Sequence, residues 1–451
     1  MSTVCAVSTP PGTGGISVIR ISGENAFFIT DRVFKGVGGK TPLTMDGYTC
    51  AFGKIYDGDK AIDDVLLTVF RAPKSYTGED TAEISCHGGG YVTKRILSLL
   101  IKNGAQPAGP GEFTKRAFLN GKLSLTEAEG VMDIISSEGE RALRSANNMR
   151  SGAVFKKISA VKSRLTDVLS GLAAWVDYPE EDIPAVTADE IKTALHESVS
   201  ALDKLIKSYD DGIVFKEGVK TALVGSPNVG KSSLMNMLLG FDRSIVTDIP
   251  GTTRDVIEET ARLGDITLRL NDTAGLRNTD DKVESEGVLR AKQKLSDARL
   301  VLAVFDSARE LSNDDWELLS ELNKENTVVV LNKSDMEKCV DEADFSGFVT
   351  VSVSAKNGEG KDALKDEILS VIGADTSGFD EEVFASERQK NCAESAKASL
   401  ELALFAAESG ETQDAVTVAM QRALEHLCEL TGESAADSVV SGVFSRFCVG
   451  K

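Results

Sequence analysis

Residues 225–232, with the sequence GSPNVGKS, constrain the fold of this chain more than any other segment. They follow a short apolar run at residues 220–224 and precede the apolar start of a helical pattern at residues 234–239. This is the phosphate loop GxxxxGK[ST] in the strand–loop–helix setting that the motif requires. Its glycines let backbone amides turn towards phosphate oxygens at the positive end of the following helix. The segment therefore predicts a nucleotide-binding α/β unit.

Individual side chains of this loop have separate expected roles. Lys231 can reach the β- and γ-phosphates of a nucleotide and is a predicted catalytic residue, and the hydroxyl of Ser232 can ligate Mg²⁺. Asn228 can offer a side-chain oxygen to a monovalent cation beside the phosphates. The other positions of the loop that we expect to contact nucleotide are Val229, Gly230 and Ser233.

Two later segments predict selectivity for guanine, and each follows an apolar run typical of a strand. Their residues are Asn332, Lys333, Ser334 and Asp335, then Ser354, Ala355 and Lys356. The Asp335 carboxylate can accept the N1–H and N2–H of guanine as a bidentate pair. Adenine lacks that donor pair and would leave the carboxylate unpaired. The second segment can supply backbone donors to the guanine oxygen, so we expect GTP and GDP as ligands.

Two more segments complete the order of elements found in GTPases. Asp272 is expected to act on Mg²⁺ through an intervening ligand, and the amide of Gly275 to sense the γ-phosphate. Thr253 is expected to close on Mg²⁺ in the triphosphate state, as switch loops do. The other predicted nucleotide-contacting positions here are Thr247, Asp248, Ile249, Pro250, Gly251, Thr252, Thr273 and Ala274.

Leu276 occupies the position at which Ras-like enzymes carry the glutamine that orients the attacking water. A leucine side chain neither donates nor accepts a hydrogen bond, so another group must activate the water. The sequence shows no obvious arginine finger, and a K⁺ ion that bridges phosphate oxygens could supply the missing charge.

The periodicity of the sequence predicts an α/β multidomain protein. Residues 1–120 contain the short alternating runs of an N-terminal α+β domain, and residues 215–375 alternate strands and helices as in a doubly wound parallel sheet. Residues 121–214 and 376–451 are helical and thin on their own. We therefore expect them to form one helical domain into which a Ras-like GTPase domain is inserted. Two separate helical domains in series are the alternative.

Composition limits the partners of this 451-residue chain. Its formal net charge of −20 repels nucleic acid, so an RNA contact would need a local basic patch. Residues 141–165 carry seven basic and no acidic residues, although a solvated helix face is an equally good interpretation. The seven cysteines form no CxxC pair, which argues against a disulfide framework or zinc site. Because no signal peptide or membrane-spanning run is evident, we expect a cytoplasmic protein that binds no membrane.

Motifs outside the GTPase segment resemble the bacterial tRNA-modification GTPase family MnmE (TrmE) over the whole chain. They are TPPGTGG at residues 9–15, YTGED at 76–80, HGG at 87–89, GPGEFTKRAFLN at 109–120 and FCVGK at 447–451. The terminal C-x-G-K is the hallmark of that family. Composition alone would describe it as a frayed tail.

The resemblance implies an activity and partners. Family members form homodimers through an N-terminal folate-binding domain, and their G domains dimerise with K⁺, which stimulates GTP hydrolysis. They act in a heterotetramer with MnmG, a partner that uses FAD and NADH. The complex installs an aminomethyl or carboxymethylaminomethyl group at C5 of the wobble uridine of tRNA. The one-carbon unit comes from a tetrahydrofolate, in 5-formyl or methylene form.

The resemblance also implies roles for particular residues, of which Glu284 would activate water in place of the missing glutamine and Cys448 would serve the modification. The implied ligands of K⁺ are Asn228, Thr247, Ile249 and Thr252, those of Mg²⁺ are Ser232 and Thr253, and the folate-binding positions are Arg20, Glu83, Lys122 and Lys451. Arg20 and Lys122 suit the glutamate carboxylates of a folate, because such hydrogen bonds are charge-assisted. Glu83 could hold the amino edge of the pterin.

Two other kinds of GTPase compete with this hypothesis: a regulatory switch without RNA chemistry, and a ribosome-assembly GTPase of the Era or EngA type. A pure switch would need neither Cys448 nor the folate-like positions. Ribosome-assembly GTPases usually append a basic RNA-binding domain, which the net charge of −20 does not favour.

Overall fold

The computed structural model describes residues 2–177, 186–240, 259–272, 298–373, 384 and 386–451. The chain divides into two units. Unit 1 comprises Met1–Met132, Asn147–Lys204 and Ser386–Lys451, and unit 2 comprises Asp133–Ala146 and Leu205–Ala385.

Unit 1 begins with a mixed β-sheet. Its strands are β1 (Val4–Val7), β2 (Ile16–Ser22), β3 (Phe34–Gly36), β4 (Thr49–Asp57), β5 (Lys60–Phe70), β6 (Thr81–His87) and β7 (Gln106–Pro107), in the order β3-β4-β5-β6-β2-β1-β7. Strands β1 and β7 are parallel, whereas the other neighbours are antiparallel.

One face of this sheet carries the core of the N-terminal region. Alternate residues such as Ile19, Leu67 and Ile84 are fully buried there, against helices α1 (Ala26–Asp31) and α2 (Gly90–Lys102). The two-residue side-chain period of a strand places the intervening residues on the opposite face. That face holds Arg20 and Glu83, which are register partners on β2 and β6.

The remainder of unit 1 is helical. The helices that lie wholly or partly in it are α3 (Glu112–Leu119), α4 (Leu125–Ser136), α5 (Glu140–Arg150), α6 (Ala153–Asp177), α7 (Ala188–Glu217), α11 (Glu387–Ser409), α12 (Gln413–Thr431) and α13 (Asp437–Ser445). Helix α12 packs against α11 and also against α6, so helices from both sides of the GTPase segment share one core. The predicted boundaries at residues 120, 214 and 375 stay predictions.

A buried ion pair reinforces this packing where the chain enters α11. Arg388 donates to both carboxylate oxygens of Glu129 on α4, at 3.0 and 2.9 Å. It also donates to the backbone oxygens of Glu429 and Leu430 at the end of α12. Burial lowers the pKa of Arg388, but the hydrogen bonds and charge of Glu129 outweigh it, so the pKa is raised overall.

Unit 2 contains a doubly wound sheet of the order β13-β12-β11-β8-β10-β9. The strands are β8 (Val219–Val224), β9 (Glu259–Leu263), β10 (Ile266–Asp272), β11 (Leu300–Asp306), β12 (Thr327–Asn332) and β13 (Val349–Val353), and the helices are α8 (Lys231–Leu239), α9 (Asn313–Glu321) and α10 (Lys361–Val371). Neighbouring strands are parallel except β9 and β10. Strands β11 and β12 are buried along their whole length, because helices cover a parallel sheet on both faces. Strands β8, β10, β11, β12 and β13 confirm the predicted alternation of strands and helices, whereas β9 was not predicted.

The basic stretch at residues 141–165 is largely ion-paired. Arg144 contacts Glu140 and Arg164 contacts Glu197, each at 3.1 Å, while Lys162 is bonded to Glu433. These acidic partners favour the interpretation of a charge-balanced helix surface over that of an RNA-binding patch. Across the described ranges, no helix is long and apolar enough to span a bilayer.

Candidate functional site

The phosphate loop leaves the carboxyl end of β8 and enters α8. Gly225 and Gly230 have φ angles of +146° and +96°. A Cβ atom at Gly225 would lie 2.3 Å from the backbone oxygen of Val304, and one at Gly230 would lie 2.1 Å from Nδ2 of Asn332. Only glycine fits such conformations with such close neighbours. Asn228 also adopts a positive φ, at +65°, and its side chain is exposed.

Lys231 folds back over this loop. Its Nζ donates to the backbone oxygens of Gly225 at 2.7 Å and Ser226 at 2.9 Å. The ammonium group therefore lies against the first two residues of the loop. Ser232 and Ser233 are exposed in the first turn of α8, and Val229 is fully buried beneath the loop.

Asn332 joins the phosphate loop to the segment that follows β13. Its Nδ2 donates to the backbone oxygen of Val229 at 2.8 Å, and its Oδ1 accepts from the amide of Ala355 at 3.0 Å. The residue is only 3% exposed. Three segments that are separate in the sequence thus meet at one buried side chain.

Asp335 lies beside Ser354, whose hydroxyl donates to Oδ1 of the carboxylate at 2.7 Å. This hydrogen bond lowers the pKa of Asp335 against the opposing effect of desolvation, with smaller contributions from Lys356 and Lys333. A carboxylate that stays ionised is the group that accepts two N–H donors of guanine.

Sequence reasoning missed Asp306, at the carboxyl end of β11. Its Oδ2 forms an ion pair with Nζ of Lys333 at 2.5 Å, and its Oδ1 accepts from the amide of Ala308 at 3.0 Å. Lys333 has a φ angle of +66°, so its backbone is in the left-handed region. The position of an acidic residue at the carboxyl end of β11 could have indicated a role for Asp306 from the sequence. A second missed residue, Asp315 on α9, contacts Ser226 of the phosphate loop.

Several predicted positions lie outside the described residues. They are Thr247, Asp248, Ile249, Pro250, Gly251, Thr252, Thr253, Thr273, Ala274, Gly275, Leu276 and Glu284. The backbone of Asp272 ends β10 and is in register with Leu223 of β8, next to the start of the phosphate loop.

A second cluster surrounds Arg20 in unit 1. Its Nη2 forms an ion pair of 2.7 Å with Oε1 of Glu83. The guanidinium carbon lies 5.5 Å from the ring centroid of Tyr76 and 5.4 Å from that of Phe113, within cation–π range. The side chains of Arg20 and Glu83 are 16% and 24% exposed, so one edge of the pair is accessible. Two predicted folate-binding residues therefore contact each other directly.

The YTGED and GPGEFTKRAFLN motifs pack together around this cluster. Glu79 accepts two hydrogen bonds from Nη1 of Arg116, at 3.0 and 3.2 Å. The hydroxyls of Tyr76 and Thr114 are 2.9 Å apart and share a hydrogen bond. Burial raises the pKa of Tyr76, although Thr114 and Arg20 oppose this effect. These contacts fix the aromatic ring that faces Arg20.

The C-terminal motif is docked on the N-terminal sheet. The Oγ of Ser8 donates to the backbone oxygen of Gly450 at 3.0 Å. The backbone N–H of Gly111 donates to the backbone oxygen of Cys448 at 3.3 Å. Gly450 has a φ angle of +98°, and a Cβ atom there would lie 2.2 Å from the backbone oxygen of Val7. The description of this segment as a frayed tail, which composition favours, is wrong because long-range hydrogen bonds hold it. Cys448 itself is exposed.

The other two predicted folate-binding residues, Lys122 and Lys451, contact segments next to this cluster. The backbone oxygen of Lys451 accepts from the amide of Phe113, the residue whose ring faces Arg20. The Nζ of Lys122 donates to the backbone oxygen of Pro73 at 3.1 Å, in the loop that leads to Tyr76. Lys122 also lines a cavity of about 890 Å³.

Family models match most of the chain. Residues 3–122 match the model of the GTP-binding protein TrmE N-terminus, and residues 125–448 match that of the MnmE helical domain. The tRNA modification GTPase MnmE of Thermoanaerobacter pseudethanolicus (strain ATCC 33223 / 39E) is 41% identical over 456 residues, which cover 100% of this chain and 99% of that protein. The chain belongs to the MnmE family of tRNA modification GTPases. The predicted family and fold class are thereby confirmed.

A second MnmE relative, from Clostridioides difficile (strain 630), is 39% identical over 454 residues, covering 100% of this chain and 99% of that protein. Among solved structures, the chain is similar to the G domain of the FeoB iron transporter of T. maritima. That match has 30% identity and a TM-score of 0.26, and it covers 34% of this chain and 98% of the G domain. The family assignment rests on the sequence matches. As an MnmE family member, the protein is a GTPase.

Proposed function

We propose that the chain binds and hydrolyses GTP at the site formed by the phosphate loop and the segments around Asn332 and Ser354. The observation that carries this proposal is the pair of hydrogen bonds from Asn332, which joins the phosphate end of the site to its base end. Asp335 would accept N1–H and N2–H of guanine. The backbone N–H of Ala355 already donates to Oδ1 of Asn332. We therefore propose that the backbone N–H of Lys356 donates to the guanine oxygen.

Lys231 would move its ammonium group from the loop carbonyls to the β- and γ-phosphates and stabilise the charge that develops in hydrolysis. The exposed hydroxyl of Ser232 is a hard oxygen donor and fits Mg²⁺, which we propose it binds together with Thr253. When bound, Mg²⁺ would neutralise phosphate charge. Glu284 is our candidate for orienting the attacking water, because Leu276 cannot do so.

The exposed Asn228 supports a proposed K⁺ site at the edge of the phosphate loop. Its backbone has a positive φ, and its amide oxygen is a suitable ligand for a hard cation. Thr247, Ile249 and Thr252 would complete the site. We propose that K⁺ replaces an arginine finger and that it promotes dimerisation of the GTPase units.

We further propose that GTP hydrolysis serves modification of the wobble uridine of tRNA, with MnmG as the FAD- and NADH-dependent partner and a one-carbon tetrahydrofolate as donor. The docking of Cys448 beside α3 supports this proposal, because a switch without RNA chemistry would not need a structured C-terminal motif. A folate near Arg20 would have to share or replace the ion pair with Glu83, and the rings of Tyr76 and Phe113 offer stacking surface for it.

Exposed apolar side chains on strands β4 and β5 support a proposed homodimer. Phe52 on β4 and Leu66 on β5 are cross-strand partners, and they are 51% and 47% exposed. Large exposed apolar side chains that adjoin each other on a sheet are typical of a protein interface. Light scattering of a Phe52→Lys variant tests this, since the proposal expects a smaller particle mass than that of the wild-type chain.

Complementation of a strain that lacks the gene tests the main proposal. Wobble-uridine nucleosides would be measured by mass spectrometry after expression of wild-type, Lys231→Ala or Cys448→Ser chains. We expect the modified nucleoside only with the wild-type chain. Purified Cys448→Ser should hydrolyse GTP at a rate within about threefold of wild type, whereas Lys231→Ala should not. Full modification with Lys231→Ala would contradict the proposal.

A further inference from the structure

A buried carboxylate on α9 contacts the phosphate loop directly. Asp315 lies in the first turn of α9 and is 1% exposed. Its Oδ1 accepts a 2.5 Å hydrogen bond from Oγ of Ser226, the second residue of the phosphate loop. Hydrogen bonds from a hydroxyl to an ionised carboxylate have this length, and they are stronger than those between neutral groups.

The other oxygen of Asp315 is held by the segment that leads into α9. Its Oδ2 accepts from the amide of Ser312 at 3.0 Å, from Oγ of Ser312 at 2.8 Å, and from Nη2 of Arg309 at 2.8 Å. Burial raises the pKa of Asp315, but the hydrogen bonds from Ser226 and Ser312 and the charge of Arg309 outweigh it and lower the pKa overall. The carboxylate is therefore ionised at neutral pH, and three donors outside the phosphate loop hold its second oxygen.

Ser226 links this carboxylate to the lysine that faces the phosphates. The hydroxyl of Ser226 is held by Asp315, while its backbone oxygen accepts from Nζ of Lys231 at 2.9 Å. The hydrogen bond to Asp315 thus restrains the same residue that positions Lys231. A loop that is ordered before the nucleotide arrives loses less conformational entropy on binding.

We infer that Asp315 is a positioning residue for the phosphate loop, which it holds in the nucleotide-accepting conformation through Ser226. The inference rests on the proposed role of residues 225–232 as the phosphate site. Asp315 acts through another residue and does not itself touch the nucleotide.

The clean test is Ser226→Ala in the full-length chain, because this change removes one hydroxyl and leaves the other three donors to Asp315 in place. The dissociation rate of N-methylanthraniloyl-GDP would be measured by stopped-flow displacement with excess GDP. We expect dissociation to be about tenfold faster, the effect of losing a hydrogen bond to a charged group. The KM for GTP should rise by more than kcat at saturating GTP falls, because the bond orders the loop before the nucleotide binds.

Three further variants separate positioning from general loss of structure. Ser226→Thr keeps the hydroxyl and should restore dissociation to within about threefold of wild type. Ser312→Ala weakens the cap of α9 and removes one of the three donors to Oδ2 of Asp315 but leaves the bond to Ser226. It should therefore lower the melting temperature and accelerate dissociation less than Ser226→Ala does. Ser320→Ala is the matched control, since its hydroxyl only bonds the backbone of Glu317 on the exposed side of α9.

A dissociation rate for Ser226→Ala within about twofold of wild type would overturn the inference, as would an equal acceleration in Ser312→Ala. Lys231→Ala separates this outcome from failure of the proposed phosphate site. If Lys231→Ala binds the probe as wild type does, the phosphate site itself is misassigned. If Lys231→Ala loses binding but Ser226→Ala dissociates normally, only the positioning role of Asp315 fails.

Discussion

Ser8 and Gly450 lie 442 positions apart in the sequence and are joined by a hydrogen bond of 3.0 Å between the Ser8 hydroxyl and the Gly450 carbonyl. This contact attaches the last residues of the chain to the end of the first strand. It places Cys448 and Lys451 beside the motif that carries Phe113, whose ring faces Arg20. The terminal motif thus packs on the N-terminal sheet, although it follows the last helix of the chain.

Gly450→Ala should release the terminal motif. The φ angle of +98° and the 2.2 Å approach to Val7 exclude a side chain there, so alanine would force the segment off the sheet. We expect faster amide hydrogen exchange at Phe113 and about tenfold less tRNA modification, the effect of a misplaced reacting group. GTP hydrolysis by the isolated chain should not change. Gly442→Ala, in a position with open space around it, is the matched control. Unchanged hydrogen exchange at Phe113 would refute this prediction.

Asp306→Asn should weaken guanine-nucleotide binding. The ion pair with Asp306 holds Lys333 in its place next to Asp335, and the neutral amide cannot retain the ammonium group equally well. We expect the Kd for GDP, measured by isothermal titration calorimetry, to rise about fivefold to tenfold. Asp314→Asn changes an exposed acidic residue on α9 and serves as the control for net charge. Equal Kd values for Asp306→Asn and Asp314→Asn would contradict a role for Asp306 in nucleotide binding.

The stability of the GTPase unit should depend on pH through Asp315. Its pKa is lowered in the folded chain, so its contribution is fully present above the unfolded pKa of about 3.9. That contribution is lost as pH falls through the folded pKa. Calorimetry at pH 7, 5 and 3.5 would follow the unfolding transition that GDP shifts. Asp315→Asn should melt lower than wild type at pH 7, and the difference should shrink at pH 3.5. A difference that is constant with pH would contradict the assignment.

K⁺ should accelerate GTP hydrolysis far more than Na⁺ does, because a site that includes Asn228 must match the size of the larger ion. Hydrolysis rates in KCl and NaCl at equal ionic strength provide the measurement. Asn228→Ala should lose most of the stimulation while its Kd for GDP stays within about threefold of wild type. Equal rates in the two salts with the wild-type chain would rule out the K⁺ site.

Glu284→Ala should lower the turnover number by about 10²-fold or more, the scale for a water-orienting group. GTP affinity and K⁺-dependent dimerisation of the GTPase units should persist, because Glu284 has no proposed contact with the nucleotide. Single-turnover hydrolysis in KCl is the appropriate measurement. A rate within about threefold of wild type would return Glu284 to the role of a solvated surface residue.

The sequence alone indicated the GTPase unit, most of its strands and the family, although it did not predict β9. The phosphate loop, residues 332–335 and residues 354–356 are each contiguous, and each follows an apolar strand, so their chemistry can be recognised without knowing the fold. The buried strands β11 and β12 were equally readable, because a parallel sheet covered on both faces needs near-continuous apolar runs. The family motifs are contiguous in the same way.

Only the tertiary structure decided which groups act on these motifs. Asp306, Asp315 and Ser8 are ordinary polar residues in the sequence, and their partners Lys333, Ser226 and Gly450 are distant along the chain. The residue type alone does not show whether a charged side chain is buried in an ion pair or exposed to solvent. The difference is made by the parallel sheet, which brings the carboxyl ends of non-adjacent strands together, and by the left-handed backbone at Gly450, which lets the last residues lie against the first strand.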